Sequence, residues 1–269
     1  MIVIRVSVAC LMYWILHHFT VKEKIKSTRD YFYLALCAIF GIAINQLMFF
    51  KGLAISTPIN ASLIMTIIPI MVLISSFLII KEKITWLNTT GIVLGLTGAA
   101  LLVLSGKESS VGSGTYRGDI FLLINSTSYG FYLVIVKPLM KKYHPYTIIK
   151  WVFLFGMFYV IPVGFNDLTE VDWNSITTNI WIAIAFVVVM TTFFAYLLNM
   201  VALKTLKPSV VGIYIYLQPI LATIIAISFG KDSVTWEKVL FSLLIFAGVY
   251  FVSRRSDKKL SEPKLSSAA

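Results

Sequence analysis

The sequence predicts an all-α polytopic membrane protein, with about nine transmembrane helices arranged as two inverted-topology helical repeats. Three observations carry that prediction. The first is composition: of 269 residues, 58% are hydrophobic and 13% charged, and the mean hydropathy is +0.87. Soluble domains sit near 45–50% apolar and about 25% charged. The second is clustering, because the apolar residues fall into runs that approach the roughly 20 residues a helix needs to cross about 30 Å of hydrocarbon. The third is an internal repeat, set out below.

In chain order the spans are expected at 1–19, 31–53, 59–80, 87–105, 118–136, 147–165, 179–203, 209–229 and 237–253. Lipid offers the backbone no hydrogen-bond partner, so apolar runs of this length are predicted as helices. No basic region precedes the first run, and Lys22-Glu23-Lys24 follows it where a small-residue cleavage site would stand. It therefore reads as a helix and not as a signal peptide. Residues 106–117, with Gly112-Ser113-Gly114 inside, read as a flexible linker. The linker separates a first repeat at 1–105, incomplete at its start, from a second at 118–253. Residues 254–269, with five basic side chains and Pro263, read as a basic disordered tail.

A net charge of +11 suits nucleic acid or acidic lipid in principle. No basic patch interleaved with aromatics stands outside the apolar runs, so no nucleic-acid partner is expected. The basic residues instead collect in alternate connections: Lys22 to Arg29, Lys81 and Lys83, Lys137 to Lys142, Lys204 and Lys207, and the tail. The longest loop of the opposite set, 166–178, has Asp167, Glu170 and Asp172 and no base. The positive-inside rule then places the basic set and the carboxyl terminus in the cytoplasm, with Met1 outside. A bacterial plasma (inner) membrane is the expected location. Cys10 and Cys37 lie in apolar runs with no CxxC spacing, and His17, His18 and His144 lack metal-ligand spacing. No metal and no cofactor are expected.

The repeat appears when the sequence is shifted by 150 positions. Leu53 then meets Leu203, Pro58 meets Pro208, Pro69 meets Pro219 and Ile70 meets Ile220. Further along, Lys81 meets Lys231, Thr85 meets Thr235, Trp86 meets Trp236 and Gly98 meets Gly248, while Glu82 faces Asp232 and Ile84 faces Val234. No gap is needed from Leu53 to Gly98. Lys81 falls in a connection on the basic side and Lys231 in one on the other, so the halves are related by inversion. Inverted repeats recur in secondary transporters, which hold their solute near the midplane between the halves. The span at 118–136 shifts back to before Met1, so a first helix of a ten-helix arrangement is expected to be missing from this chain.

On these residues the chain resembles an EamA-type member of the drug/metabolite transporter superfamily. The resemblance rests on Pro69, Glu82, Thr85, Gly91 and Gly98 in the first half, on Pro219, Asp232, Thr235 and Gly248 in the second, and on Gly118-Asp119 opening the second. It departs from the family pattern where Asp232 replaces a Glu and where Gly91 is matched by Phe241. The resemblance implies ten helices in two inverted five-helix repeats. It also implies transport of small polar or amphipathic metabolites, amino acids or related compounds, with export more common than uptake.

Polar side chains in mid-span mark candidate contacts for a solute, because each is costly in hydrocarbon. Asn45 and Gln46 stand in the second span, Asn125 and Tyr129 in the fifth, Thr192 and Tyr196 in the seventh, Tyr214 and Gln218 in the eighth. The last three pairs are spaced four apart and so share a helix face. These eight are the predicted substrate-binding residues; interhelical hydrogen bonding is the competing role. Pro69 and Pro219, each without a backbone N–H, are predicted to kink their helices and serve gating. Arg5, Lys51 and Lys150 lie near span ends and are expected to snorkel to the interface. No acid–base pair, nucleophile or metal cluster suggests an enzyme. The competing functions are an exchanger of phosphorylated or nucleotide-linked sugars, with Arg5, Lys51 or Lys150 on the anion, and a non-transporting membrane scaffold. The sequence identifies neither the substrate, the direction and coupling ion of transport, nor the oligomeric state.

Overall fold

A computed structural model describes residues 1–56, 58–104, 116–171, 173, 176–229 and 235–258. Among them are nine long helices and no strand. They are α1 (Ile2–Thr20), α2 (Thr28–Ile55), α3 (Asn60–Ile80), α4 (Trp86–Leu104) and α5 (Tyr116–Lys141). There follow α6 (Pro145–Thr169), α7 (Thr178–Thr205), α8 (Pro208–Ile225) and α9 (Trp236–Lys258). Eight are long and apolar enough to cross a membrane, and the apolar stretch Trp86–Leu102 of α4 is shorter. With each helix a crossing, five crossings separate Lys81 from Trp236, an odd number, so the two repeat ends lie on opposite faces.

The repeat extends to the irregularities of the helices. The last segment of α2, Asn45–Ile55, and that of α7, Ala195–Thr205, start and stop at the same register. Each follows a widened π-helical stretch, Ile39–Ile44 in α2 and Val187–Phe194 in α7. Both π stretches end at the matched positions Ile44 and Phe194. The helix that follows in each half is broken too: α3 between Met65 and Ile68, and its counterpart α8 by a 3-10 turn at Tyr214–Tyr216. Pro69 and Pro219 stand just past these breaks, in the first turn of the helix that resumes. There a missing N–H leaves no intrahelical bond unmade, which is why proline is tolerated.

The two halves pack across a pseudo-twofold axis. At one end of it α4 lies against α9, and their closest approach needs glycine on both sides. A Cβ on Gly91 would sit 2.7 Å from the Gly248 carbonyl oxygen, and one on Gly248 would sit 2.5 Å from that of Gly91. The symmetry-related contact sets Gly98 against the carbonyl of Phe241. The apolar core is correspondingly divided. One cluster, with Val6, Ile42, Tyr132, Phe153 and Met200, fills the space among α1, α2, α5, α6 and α7. The other, with Ile92, Ala99, Tyr216 and Ile245, joins α3, α4, α8 and α9.

α5 has no counterpart within residues 1–105, and it ties the two halves at both of its ends. Asp119 accepts from Ser56 Oγ at 2.5 Å and from Asn60 Nδ2 at 3.4 Å, where α2 turns into α3. Lys137 Nζ donates to the carbonyls of Leu203 and Leu206, where α7 turns into α8. The lysine meets carbonyl groups that a helix end leaves without partners. Glu82 in turn accepts from Ser209 Oγ at 2.6 Å at the start of α8; its repeat counterpart Asp232, with Lys231 and Val234, lies outside the described residues. At the start of α6, His144 Nδ1 accepts from the Tyr146 N–H at 3.3 Å. Burial, reinforced by the charge of Lys204, holds that imidazole below the usual histidine range.

Two expectations need correction. The helix α9 runs to Lys258, so residues 254–258 of the expected tail are helical. Arg and Lys are good helix formers and suit a carboxyl-terminal turn, and no Gly or Pro intervenes to stop the helix. Residues 259–269 lie outside the described residues. The expected linker 106–117 ends two residues early, at the start of α5; 105–115 lie outside the described residues. The second correction concerns the basic residues expected to snorkel. Lys51 is exposed, but Lys150 is buried between α1 and α6. Its ammonium donates to His17 Nδ1 at 3.0 Å and lies 4.6 Å from the Trp14 ring. That leaves His17 Nε2–H to donate to Thr147 Oγ1 at 3.2 Å. Arg5 is buried as well, in the site described next.

Candidate functional site

Widening a helix by one residue per turn frees carbonyl groups that must find other donors. In α2 and α7 the neighbouring helices supply them. Ser128 Oγ on α5 donates to the Phe40 carbonyl at 2.7 Å, and Asn125 Nδ2 to that of Asn45 at 2.6 Å. In α7 the Tyr13 hydroxyl of α1 donates to the Phe193 carbonyl at 2.7 Å, and from within the stretch itself Thr192 Oγ1 donates to that of Val187 at 3.1 Å. Irregular backbone at bilayer depth is tolerated where it is packed in protein or lines a cavity. Both conditions hold here.

The cavity lies between the halves, beside these π stretches, with a volume of about 600 Å3. Seven of the eight predicted residues line it: Asn45, Gln46, Asn125, Tyr129, Tyr196, Tyr214 and Gln218. Thr192 does not; it is wholly buried behind the wall, and its neighbour Thr191 takes the lining position. Phe49, Phe50, Met65, Ile68 and Val211 add apolar surface. Neither Pro69 nor Pro219 lines the cavity, but the helix breaks beside them place Met65, Ile68, Tyr214, Ile215 and Gln218 on its wall.

A polar network fixes the wall. Gln46 Nε2 donates to the Tyr196 hydroxyl at 3.2 Å, and that hydroxyl donates to Asn45 Oδ1 at 3.0 Å. Gln46 and Tyr196 are 150 residues apart, so each meets its own repeat counterpart on the pseudo-twofold axis. On the far side Asn199 Nδ2 donates to the Tyr129 hydroxyl at 2.9 Å. Two acceptors on the wall, Gln46 Oε1 and Asn125 Oδ1, have no partner among the described residues.

Arg5, expected from the sequence to snorkel and named as an anion partner only in the sugar-exchanger alternative, is on the wall as well. Its residue is 9% exposed, and it lines the cavity. Nε donates to Thr192 Oγ1 at 2.9 Å, and the guanidinium carbon lies 5.1 Å from the centre of the Phe50 ring. An arginine within the bilayer costs at least about 2.5–3.5 kcal/mol on insertion scales. One hydroxyl and one ring face offset only part of that. Among the described residues no carboxylate lines the cavity or pairs with Arg5; the ion pairs are Lys142–Asp30 and Lys207–Glu82.

Two inverted helical halves of membrane-crossing length, around a cavity whose wall mixes polar and apolar side chains, define the class: an integral membrane transporter of small molecules. The comparisons carry the assignment further. The chain belongs to the EamA-like transporter family, whose model matches residues 1–104 and 116–254. An uncharacterized transporter of Bacillus subtilis, YyaM, is 24% identical over 229 residues, 85% of this chain and 74% of its own length. An uncharacterized transporter of Clostridium kluyveri is 23% identical over 270 residues, covering 98% of this chain and 85% of that one. A crystal structure of a protein 13% identical to this one superposes with a TM-score of 0.76, over 97% of this chain and 88% of its own. That likeness establishes the fold alone.

Proposed function

We propose that this chain exports small polar or amphipathic metabolites, amino acids or related compounds, by alternating access, from the cytoplasm across a bacterial plasma membrane. The observation that carries the reading is the cavity of about 600 Å3 between inverted halves, with amides, phenols and apolar side chains sharing its wall. That volume lies within the range typical of small-molecule sites. In this reading the cargo contacts Asn45, Gln46, Asn125, Tyr129, Tyr196, Tyr214 and Gln218, while Thr192 acts through Arg5. The matched breaks beside Pro69 and Pro219 are the points at which α3 and α8 bend as the halves rock. The 1–105 and 118–253 repeats are the moving bodies. The basic connections put the carboxyl terminus in the cytoplasm.

A phosphorylated sugar suits the cavity less well. A doubly charged phosphate is matched by clustered cations, whereas Lys51 is exposed and Lys150 is engaged with His17, leaving Arg5 as the one cationic side chain among those on the wall. The test is flux of a labelled amino-acid panel in liposomes reconstituted with the protein. Uptake above empty liposomes for at least one member is the expected result. No flux across the whole panel overturns the reading.

A further inference from the structure

We infer that Arg5 is the anion-binding group of the cavity, and that its cargo is a small organic molecule bearing a single carboxylate and a hydrogen-bond donor. The inference rests on the transport reading of the same cavity and names the charge of what it holds.

The argument begins with donors. A guanidinium has five N–H groups in a fixed fork and keeps its charge throughout the physiological range. In Arg5 one of the five is used, by Nε on Thr192 Oγ1. The bond to Thr192 and the cation–π contact with Phe50 hold the guanidinium at the wall. The remaining N–H groups have no protein acceptor among the described residues, although the side chain is nine-tenths buried. A planar carboxylate matches such a fork two bonds at a time.

The acceptors point the same way. Gln46 and Asn125, both residues of the wall, are 3% and 2% exposed, and their amide oxygens Oε1 and Oδ1 are buried with no donor among the described residues. Buried polar atoms left unmatched are unfavourable. A cargo that brings one negative charge and one donor hydrogen matches the Arg5 fork and, once an amide turns toward the cavity, one of these oxygens. Phe49, Phe50, Met65 and Ile68 receive the apolar remainder. Among the side chains that wall the cavity Arg5 is the one cation, which suits a single carboxylate better than a doubly charged group.

The probes are N-acetyl-leucine, a monoanion with an amide N–H, and N-acetyl-leucinamide, its neutral near-isostere. Binding of each to the detergent-solubilised protein is titrated by the shift in melting temperature, and flux of each is followed in liposomes. The wild type is expected to bind the acid at least tenfold more tightly than the amide. Arg5→Gln is expected to bring the two within twofold, and Arg5→Lys to restore part of the preference. Equal binding of the two probes by the wild type overturns the inference, and so does binding of neither. A folded Arg5→Gln variant that keeps the preference overturns it too. Should that variant not fold, the wild-type comparison and Arg5→Lys decide alone. Selective binding without flux of any compound leaves the anion site standing and refutes transport. Flux without discrimination does the reverse.

Discussion

The pseudo-twofold axis brings the repeat against its own copy in two places, and the chemistry of the two differs. Where α4 meets α9, Gly91 and Gly248 let backbone touch backbone, and the contact is close, extensive and apolar. Where α2 meets α7, Gln46 and Tyr196 face each other beside a chamber of about 600 Å3. The same symmetry operation therefore serves both a seal and an opening. What decides between them is side-chain size and polarity, and whether the helices keep regular turns. α4 does so through the contact, whereas α2 and α7 are widened just before it. A rocking protein needs one place where the halves stay joined and another where they part, and these two regions have the chemistry for each.

The strongest way to break that comparison is Gly248→Leu. Its side chain enters space held by the Gly91 carbonyl and by Gly95. Overpacking costs about 1–3 kcal/mol, and against backbone the upper end is expected. Thermal unfolding in detergent should show a large fall in melting temperature. A variant as stable as the wild type shows that the seal is looser than the structure places it.

Tyr196→Phe probes the open region. It removes the bonds to Gln46 and Asn45, and interhelical bonds of this kind average about 0.6 kcal/mol in membranes. The melting temperature is expected to change little, and flux in liposomes to fall more than tenfold. A loss of stability as large as that of Gly248→Leu would make the two regions alike and remove the distinction.

The smallest effect comes from outside both regions and calibrates them. The His144 imidazole accepts from the Tyr146 N–H, and its affinity for protons is lower in the folded protein than in the unfolded chain. A depressed folded value means that protonation favours unfolding. The stabilisation is therefore complete above the unfolded value of about 6.5 and is lost as pH falls through the folded one. Between pH 7.5 and 5 the wild-type melting temperature should drop further than that of His144→Ser, which retains a non-titrating cap. Parallel curves would show that protonation of His144 is not coupled to unfolding.

Much of the fold is legible in the sequence, because the length of an apolar run and the position of a proline are local facts. The 150-residue register carries over to the π stretches and helix breaks. Yet the π stretches themselves are not legible: Ile39–Ile44 is an ordinary apolar run, and the donors that stabilise its widened turn sit on α5. The cavity wall is largely legible, since polar groups in mid-span are few. Thr192 is misplaced by one position because a π stretch rotates the helix relative to a regular turn, bringing Thr191 to the wall. Arg5 is illegible for a different reason. One turn from the end of its span it has the pattern of a snorkelling residue, and its partner Thr192 is 187 residues away.

Gln46 and Tyr196 allow one more deduction. In a dimer of identical chains, whatever sits on the dyad has to confront itself, so an amide would oppose an amide and a phenol a phenol. Fusing the copies into one polypeptide lifts that restriction, and here an NH2 group has come to face an oxygen. Unlike neighbours at a dyad are thus a dividend of covalent linkage: once the genes were joined, the two copies were free to diverge at the very spot where identical subunits would have been obliged to match.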